Sequence, residues 1–388
     1  MSYSIHFCLI SRQAAPNLLP ILDKSFKPKS AVFIVSEKMK KRAEYLSQVF
    51  KKQNIEVRLV NLDDEFNFSK TSEQLLELVS EYENENIALN VTGGTKLISI
   101  AAADAFNLIG KPIFYIDTEQ NNDIIFLSKD ENKNWIENKA LSTKIKIETY
   151  LAAYGNQLMN KQQRINKDIL NAMSILIRDY DKYKNALPKL NWASSQAKGT
   201  LRYKCGDDIK ISVFRSLLNF LHSKNIITLK GDIIDFKNEE TRIALNGGWL
   251  EDYVFEQVRG IEKVDDILEN AEIANENYEK NKGDFAQKNK GNKNEFDVLF
   301  LSKNILHLIE CKTQTFRSEE KNQKAEDILY KLETLKDYGG LMTKKCLVSY
   351  FEVSEAIMNR AKALEIKVIQ GKNIARIKQI IQEWISYA

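Results

Sequence analysis

Four cysteines and three histidines in 388 residues are too few and too scattered for a zinc fold or a disulfide framework. Cys8, Cys205, Cys311 and Cys346 stand alone, without a C-x-x-C pair, and only His6, His222 and His307 are there to complete a metal site. No apolar stretch reaches the roughly eighteen residues of a membrane span. The start Met1-Ser2-Tyr3-Ser4-Ile5-His6 lacks the basic region of a secretory signal. A cytoplasmic protein without disulfides, structural zinc or membrane contact is expected. Two nucleotide fingerprints are also missing, since neither G-x-x-x-x-G-K-[ST] nor G-x-G-x-x-G occurs, which argues against ATP hydrolysis and NAD chemistry. A hydrophobic content of 43% is enough for ordinary cores, and the length suits two or three domains.

What the chain does have is strand and helix in alternation. Runs 4–10, 31–35, 56–62, 87–91 and 112–115 are β-prone, with helical patterns at 38–53, 72–83 and 96–109. Such alternation implies a parallel α/β sheet. Ligands of these sheets bind beyond the carboxyl ends of the strands, where glycines let backbone N–H groups approach phosphates and helix N-termini favour anions. Two loops suit that role. Thr92-Gly93-Gly94-Thr95-Lys96 leads directly into a helix and can cradle a phosphate. Ser11-Arg12-Gln13-Ala14-Ala15-Pro16-Asn17 follows the first strand, is polar, and offers donors to a nucleotide.

The middle of the chain, 161–246, carries sixteen Lys and Arg against nine Asp and Glu, a formal +7, which leaves −3 for the rest of a chain whose total is +4. Helical patterns at 166–183 and 213–224 precede a hairpin over 226–236, a winged-helix-like order. Such a unit holds a nucleic-acid backbone through its lysines or serves as a linker or dimerisation module, and no base-reading pattern favours the former.

Further on, Phe296-Asp297-Val298-Leu299-Phe300-Leu301 and Ile305-Leu306-His307-Leu308-Ile309-Glu310-Cys311-Lys312 flank the turn Ser302-Lys303-Asn304 and read as a hairpin. Alternation turns Glu310 and Lys312 to one face with Leu308, and His307, Ile309 and Cys311 to the other. A carboxylate and an ammonium at the end of so apolar a run are costly to bury without compensation, which a divalent cation would supply. Asp297 and Glu310 suit a hard cation such as Mg²⁺ or Mn²⁺, and Lys312 would orient or deprotonate the attacking water. Upstream, Glu251 shares a helical face with Val254, Phe255 and Val258, an odd position for a solvated acid but apt for a third ligand. Charged residues fill 319–336, where Lys324 and Lys331 share a helix face beside the site. The loop 275–294 holds Lys280, Lys282, Lys288, Lys290 and Lys293 just ahead of Asp297, where they could guide a phosphate backbone.

The helix bearing Glu251 and the hairpin bearing Asp297 and Glu310-Cys311-Lys312 resemble the PD-(D/E)XK nuclease superfamily, although Phe296 stands where its proline would be. The two N-terminal loops, with Asn90-Val91 before the second, look like the CARF domain of CRISPR ancillary proteins. Together the halves resemble the ancillary nucleases of the Can and Card type. That resemblance implies an α/β protein with a Rossmann-like CARF domain (1–146), a winged-helix-like linker domain (147–246) and a restriction-endonuclease-like PD-(D/E)XK domain (247–388). It further implies a homodimer that binds cyclic tetra-adenylate, with Ser11, Arg12, Gln13, Thr92, Gly93, Gly94, Thr95 and Lys96 at the ligand. Glu251, Asp297, Glu310 and Lys312 would carry Mn²⁺- or Mg²⁺-dependent cleavage of DNA, RNA or both in type III CRISPR antiviral defence. Two alternatives stay open: a DNA-binding transcriptional regulator with a degenerate nuclease domain, and a ring nuclease that degrades the cyclic oligoadenylate, with Lys96 or Ser11 assisting.

Overall fold

The strand-forming runs of the first third pair into one sheet. In the computed structural model, which describes residues 3–118, 123–161, 166–280, 292–316, 319–340 and 342–386, five strands run parallel: β1 (Ile5–Leu9), β2 (Ser30–Val35), β3 (Glu56–Asn61), β4 (Ile87–Asn90) and β5 (Ile113–Asp117). Antiparallel β6 (Asp123–Phe126) and β7 (Lys139–Ala140) extend it, giving the order β3-β2-β1-β4-β5-β6-β7. Helices α1 (Ala15–Leu22) and α2 (Lys40–Lys52) cover one face, and α3 (Phe68–Ser80) and α4 (Lys96–Leu108) the other. β1, β2 and β4 are therefore buried on both sides, which is why they read as continuous apolar runs rather than as alternating ones. Strand order reverses between β1 and β4, and the crevice at such a switch point is where doubly wound sheets take ligands.

The middle segment holds α5 (Ile147–Ala152), β8 (Gln157–Lys161), α6 (Lys167–Arg178), α7 (Tyr180–Tyr183), α8 (Leu187–Gln196), β9 (Arg202–Lys204), α9 (Ser212–Ser223), β10 (Ile227–Lys230), β11 (Ile233–Phe236) and α10 (Glu239–Ile243). Strands β10, β11 and β9 form a small antiparallel sheet beside α8 and α9. The helix expected over 166–183 is broken at Asp179 into α6 and α7.

The last third contributes α11 (Trp249–Arg259), β12 (Asp266–Ala274), α12 (Glu276–Lys280), β13 (Lys293–Ser302), β14 (Ile305–Lys312), α13 (Glu319–Leu335), β15 (Lys344–Ser349), α14 (Glu355–Ala363), β16 (Ile366–Gln370) and α15 (Ile377–Ser386). Its sheet runs β16-β15-β14-β13-β12-β8, so its edge strand comes from the middle segment. A boundary at 246/247 therefore cuts across a hydrogen-bonded sheet. The β13–β14 hairpin closes on the pair Ser302 and Ile305 through Lys303 (φ 50°) and Asn304 (φ 59°), the two-residue turn whose twist matches its strands.

The two faces of this sheet pack on different neighbours. Val298, Phe300 and Ile309 join the core formed with the middle helices, α11 and α15. Leu299, Leu301, Leu306 and Leu308 instead join the core that contains Phe33 and Phe114 of the N-terminal sheet and Tyr150 of α5. The N-terminal domain thus packs, through apolar contact, on the hairpin face that also carries Asp297 and Glu310.

Candidate active site

The hairpin register carries the centre. Val298 lies opposite Ile309, so the next pair outward brings Asp297 across from Glu310 on one face, two residues before Lys312. The Lys312 ammonium is 2.7 Å from a Glu310 oxygen and 3.6 Å from Asp297. Asp297 is fixed by the backbone N–H of Cys311, which donates to Oδ2 at 2.6 Å. From α13, Lys331 approaches Glu310 at 3.4 Å. Glu251 stands in the first turn of α11 and, with Asp297 and Lys312, lines a cleft of about 480 Å³. The structure therefore brings together all four residues singled out by sequence, plus Lys331, which the helical spacing had put beside them.

Burial sets the charges here. Desolvation first, and Asp297 second, push the Glu251 carboxyl up to about 9; desolvation and then Glu310 push Asp297 up to about 6. Burial opposes the charge on Lys312, but Asp297 and Glu310 outweigh it and hold the ammonium above its usual range. With both carboxylates ionised Lys312 is thus a cation, which suits it to stabilise charge and to orient a group beside it.

Among the described residues no three His, Cys, Asp or Glu side chains are gathered as a ready-made metal cluster. The cation between Asp297 and Glu310 is Lys312 itself. The donor set still fits a hard divalent ion, because Glu251, left protonated by burial, is a group that a cation would ionise and compensate. Mg²⁺ also keeps several waters and needs only one or two carboxylates.

Sequence reasoning passed over the clamp on this strand end. Asn191 of α8 donates from Nδ2 to the Thr313 carbonyl at 3.2 Å and to its hydroxyl at 3.1 Å. Opposite, a Cβ on Gly247 would lie 2.5 Å from the Thr313 hydroxyl, and its φ of 122° favours glycine as well. The middle segment thus lines the cleft, with no signal beyond a lone asparagine on a helix. Also missed was Glu269 of β12, 3% exposed and pushed up to about 9 by burial first and then by the neighbouring Asp252 carboxyl. Of the loop lysines, Lys282, Lys288 and Lys290 lie outside the described residues; Lys293 pairs with Glu272 at 2.8 Å. His307 is buried on the face opposite Glu310, stacked on Phe300, and burial lowers it to about 3.

The two N-terminal loops meet at the switch point, since Cys8 of β1 is in register with Asn90 of β4. Asn90 Nδ2 donates to the Pro16 carbonyl at 3.0 Å and to Asn17 Oδ1 at 2.9 Å, and Asn17 Nδ2 donates to the Leu9 carbonyl at 3.2 Å. Both asparagines are 1% exposed, so this pair ties the loops together from below. A Cβ on Gly93 would fall 2.0 Å from the Leu9 carbonyl oxygen, so only glycine lets the loops approach this closely. Thr95 caps α4 by accepting from Ile98 N–H, and exposed Lys96 begins the helix. The Ser11 hydroxyl accepts from Gln13 N–H at 3.3 Å, while Arg12 is exposed.

A doubly wound domain with paired loops at its switch point, packed on a sheet whose hairpin gathers carboxylates around a lysine, defines a ligand-sensing domain type joined to an endonuclease. Residues 5–150 match the Card1 CARF domain and residues 237–388 the Card1-like endonuclease domain. The chain is a CARF protein fused to a Card1-like endonuclease domain, of the Card1 type. Among solved structures it is similar to protein VC1899 from Vibrio cholerae, with 22% identity, 98% of each chain covered and a TM-score of 0.84. It is also similar to Can2 from Sulfobacillus thermosulfidooxidans in complex with cyclic tetra-adenylate, with 24% identity, 99% of each chain covered and a TM-score of 0.76. No curated protein matches the chain.

Proposed function

We propose that this protein is a metal-dependent nuclease of type III CRISPR antiviral defence, switched on by a cyclic oligoadenylate and cleaving DNA, RNA or both in the cytoplasm. The observation that carries it is that Glu251, Asp297 and Lys312 line one cleft, with Glu310 ion-paired to Lys312 beside it. Cyclic tetra-adenylate is the activator we favour, because Can2, whose fold this chain shares, is seen with that ligand. Asp297, Glu310 and Glu251 would hold Mn²⁺ or Mg²⁺. When bound, the ion supplies charge stabilisation at the phosphoryl oxygens and lowers the pKa of water. Lys312, kept protonated, donates to the oxygens of the scissile phosphate as negative charge builds on them. The Cys311 N–H keeps Asp297 oriented, and Asn191 steadies the strand end beyond Lys312.

Ser11, Arg12, Gln13 and the loop Thr92, Gly93, Gly94, Thr95 and Lys96 would take the activator, with backbone N–H groups and the α4 N-terminus turned to its phosphates. An exposed apolar stripe on α4, with Leu97, Ile100 and Leu108 between 40% and 73% exposed, supports a homodimer that meets beside this loop. Two tyrosines support coupling to the nuclease. The Tyr154 hydroxyl accepts from Ala14 N–H at 3.3 Å, next to Gln13, and stacks on Tyr150, whose hydroxyl donates to the Gly339 carbonyl at 2.9 Å. The same tyrosines border Lys303 and Asn304 of the catalytic hairpin turn.

The test is cleavage of labelled single-stranded DNA, single-stranded RNA and supercoiled plasmid in Mn²⁺, with and without cyclic tetra-adenylate, beside Glu310→Ala. Cleavage that needs both the ligand and Glu310 is expected. No cleavage under any condition sinks the reading in favour of a regulator or a ring nuclease.

A further inference from the structure

Behind Glu251 lies a second cavity, of about 330 Å³, which shares Ile243, Gly248 and Glu251 with the catalytic cleft. The two spaces are neighbours across a single carboxylate. The surface of the second is mostly apolar, with Ile169 of α6 on one side and Ile243 at the end of α10 with the following Ala244 on the other as aliphatic walls. Its polar groups are acceptor-rich: Glu240 and Asn166 on the exposed side, Asp252 at 4% exposure within.

Resting on the nuclease reading, we propose that this cavity is a nucleobase pocket, which takes one unpaired base of the substrate strand next to the scissile phosphate. Three properties point to a base. Apolar walls suit the faces of a flat heterocycle, as in enzymes that read an extruded base between apolar side chains. The exposed Glu240 carboxylate can accept from an exocyclic amino group, the pairing by which acidic side chains recognise cytosine N4. Continuity with the cleft means that a strand whose phosphate lies at Lys312 needs no separate entrance for its neighbouring base. A phosphate is excluded by the acidic lining. The pocket therefore selects single-stranded or locally melted nucleic acid and prefers an amino-bearing base beside the cut.

The test uses the full-length Glu310→Ala protein with cyclic tetra-adenylate and short single-stranded oligonucleotides carrying one 2-aminopurine, a fluorescent base with an exocyclic amino group, at successive positions. Binding is followed by anisotropy and base insertion by 2-aminopurine emission. One position is expected to change emission, and Ala244→Trp, which fills the pocket, should abolish that change and weaken binding about tenfold. Glu240→Gln, at an exposed position, guards against misfolding: it should keep binding but lower the preference for 2-aminopurine over uracil at that position. Uniform emission at every position of a bound oligonucleotide overturns the pocket, and so does absence of binding. Base insertion by a wild-type protein that cuts nothing would leave the pocket standing and sink the nuclease reading alone.

Discussion

Lys312 shows how much a single position can depend on its surroundings. Glu-x-Lys is a weak motif in a chain with 57 Lys and Arg, and it gains meaning only because strand alternation and the hairpin register bring both side chains to Asp297. Replacing Lys312 by Met should lower ligand-activated cleavage by about 10²- to 10³-fold, measured as kcat with metal saturating, and raising the pH should not rescue it. Asn191→Ala removes two hydrogen bonds to Thr313 and should cost about 1 kcal/mol of stability and roughly tenfold in kcat, with KM for the oligonucleotide little changed. Equal activity of that variant would reduce Asn191 to a spectator.

The buried acids make a pH prediction. Glu251 and Glu269 lie near 9 in the folded chain against about 4.5 when exposed. Because both are raised, the stabilisation from burying them neutral is complete below about 4.5 and is lost as pH climbs through about 9. The metal-free protein should therefore melt at progressively lower temperature between about pH 5 and pH 9. Glu269→Gln should flatten that slope, and Mn²⁺ should restore stability at the alkaline end by compensating Glu251. A melting temperature that rises over this range contradicts the assignment.

At the scale of elements, the legible parts were those with strong local pattern. The turn Ser302-Lys303-Asn304 between two apolar runs marked the catalytic hairpin, and Trp249-Leu250-Glu251 marked the start of α11. Strands β12 and β8 escaped notice. β8 is five residues with a mixed pattern, and β12 carries Glu269, Asn270 and Glu272, with Asn270 in a left-handed conformation. Their strand character comes from pairing with distant partners, which local propensity does not encode. The CARF loops were legible as two separate loops; the Asn17–Asn90 hydrogen bond that joins them was not. Gly93→Val would drive a side chain into the Leu9 carbonyl. It should abolish cyclic tetra-adenylate binding by calorimetry while leaving ligand-independent nuclease activity unchanged.

For the whole molecule, one apolar core runs from Phe33 and Phe114 of the CARF sheet to Leu299 and Leu308 of the nuclease sheet. Packing of this kind has few intermediate arrangements, so on the proposed reading a change at the ligand loops would reach the hairpin as a shift between discrete states. Tyr154→Phe keeps the ring stack and removes the acceptor for Ala14 N–H. It should bind the activator with little loss yet lower the fold-activation of cleavage by about fivefold or more, comparing rates with and without ligand. Unchanged activation would show that coupling takes another route.

The amino-acid sequence by itself determined the α/β class and the two loops after β1 and β4, and it singled out Glu251, Asp297, Glu310 and Lys312 as candidates, because periodicity of two or of three to four residues and turn chemistry are local properties. Only the tertiary structure decided that Lys312 pairs with Asp297 and Glu310, that Asn191 of the basic middle segment grips Thr313 at the end of β14, that β8 completes the C-terminal sheet, and that the N- and C-terminal domains share a core. These depend on burial and on contacts between residues far apart in the chain, and no window of sequence contains both partners.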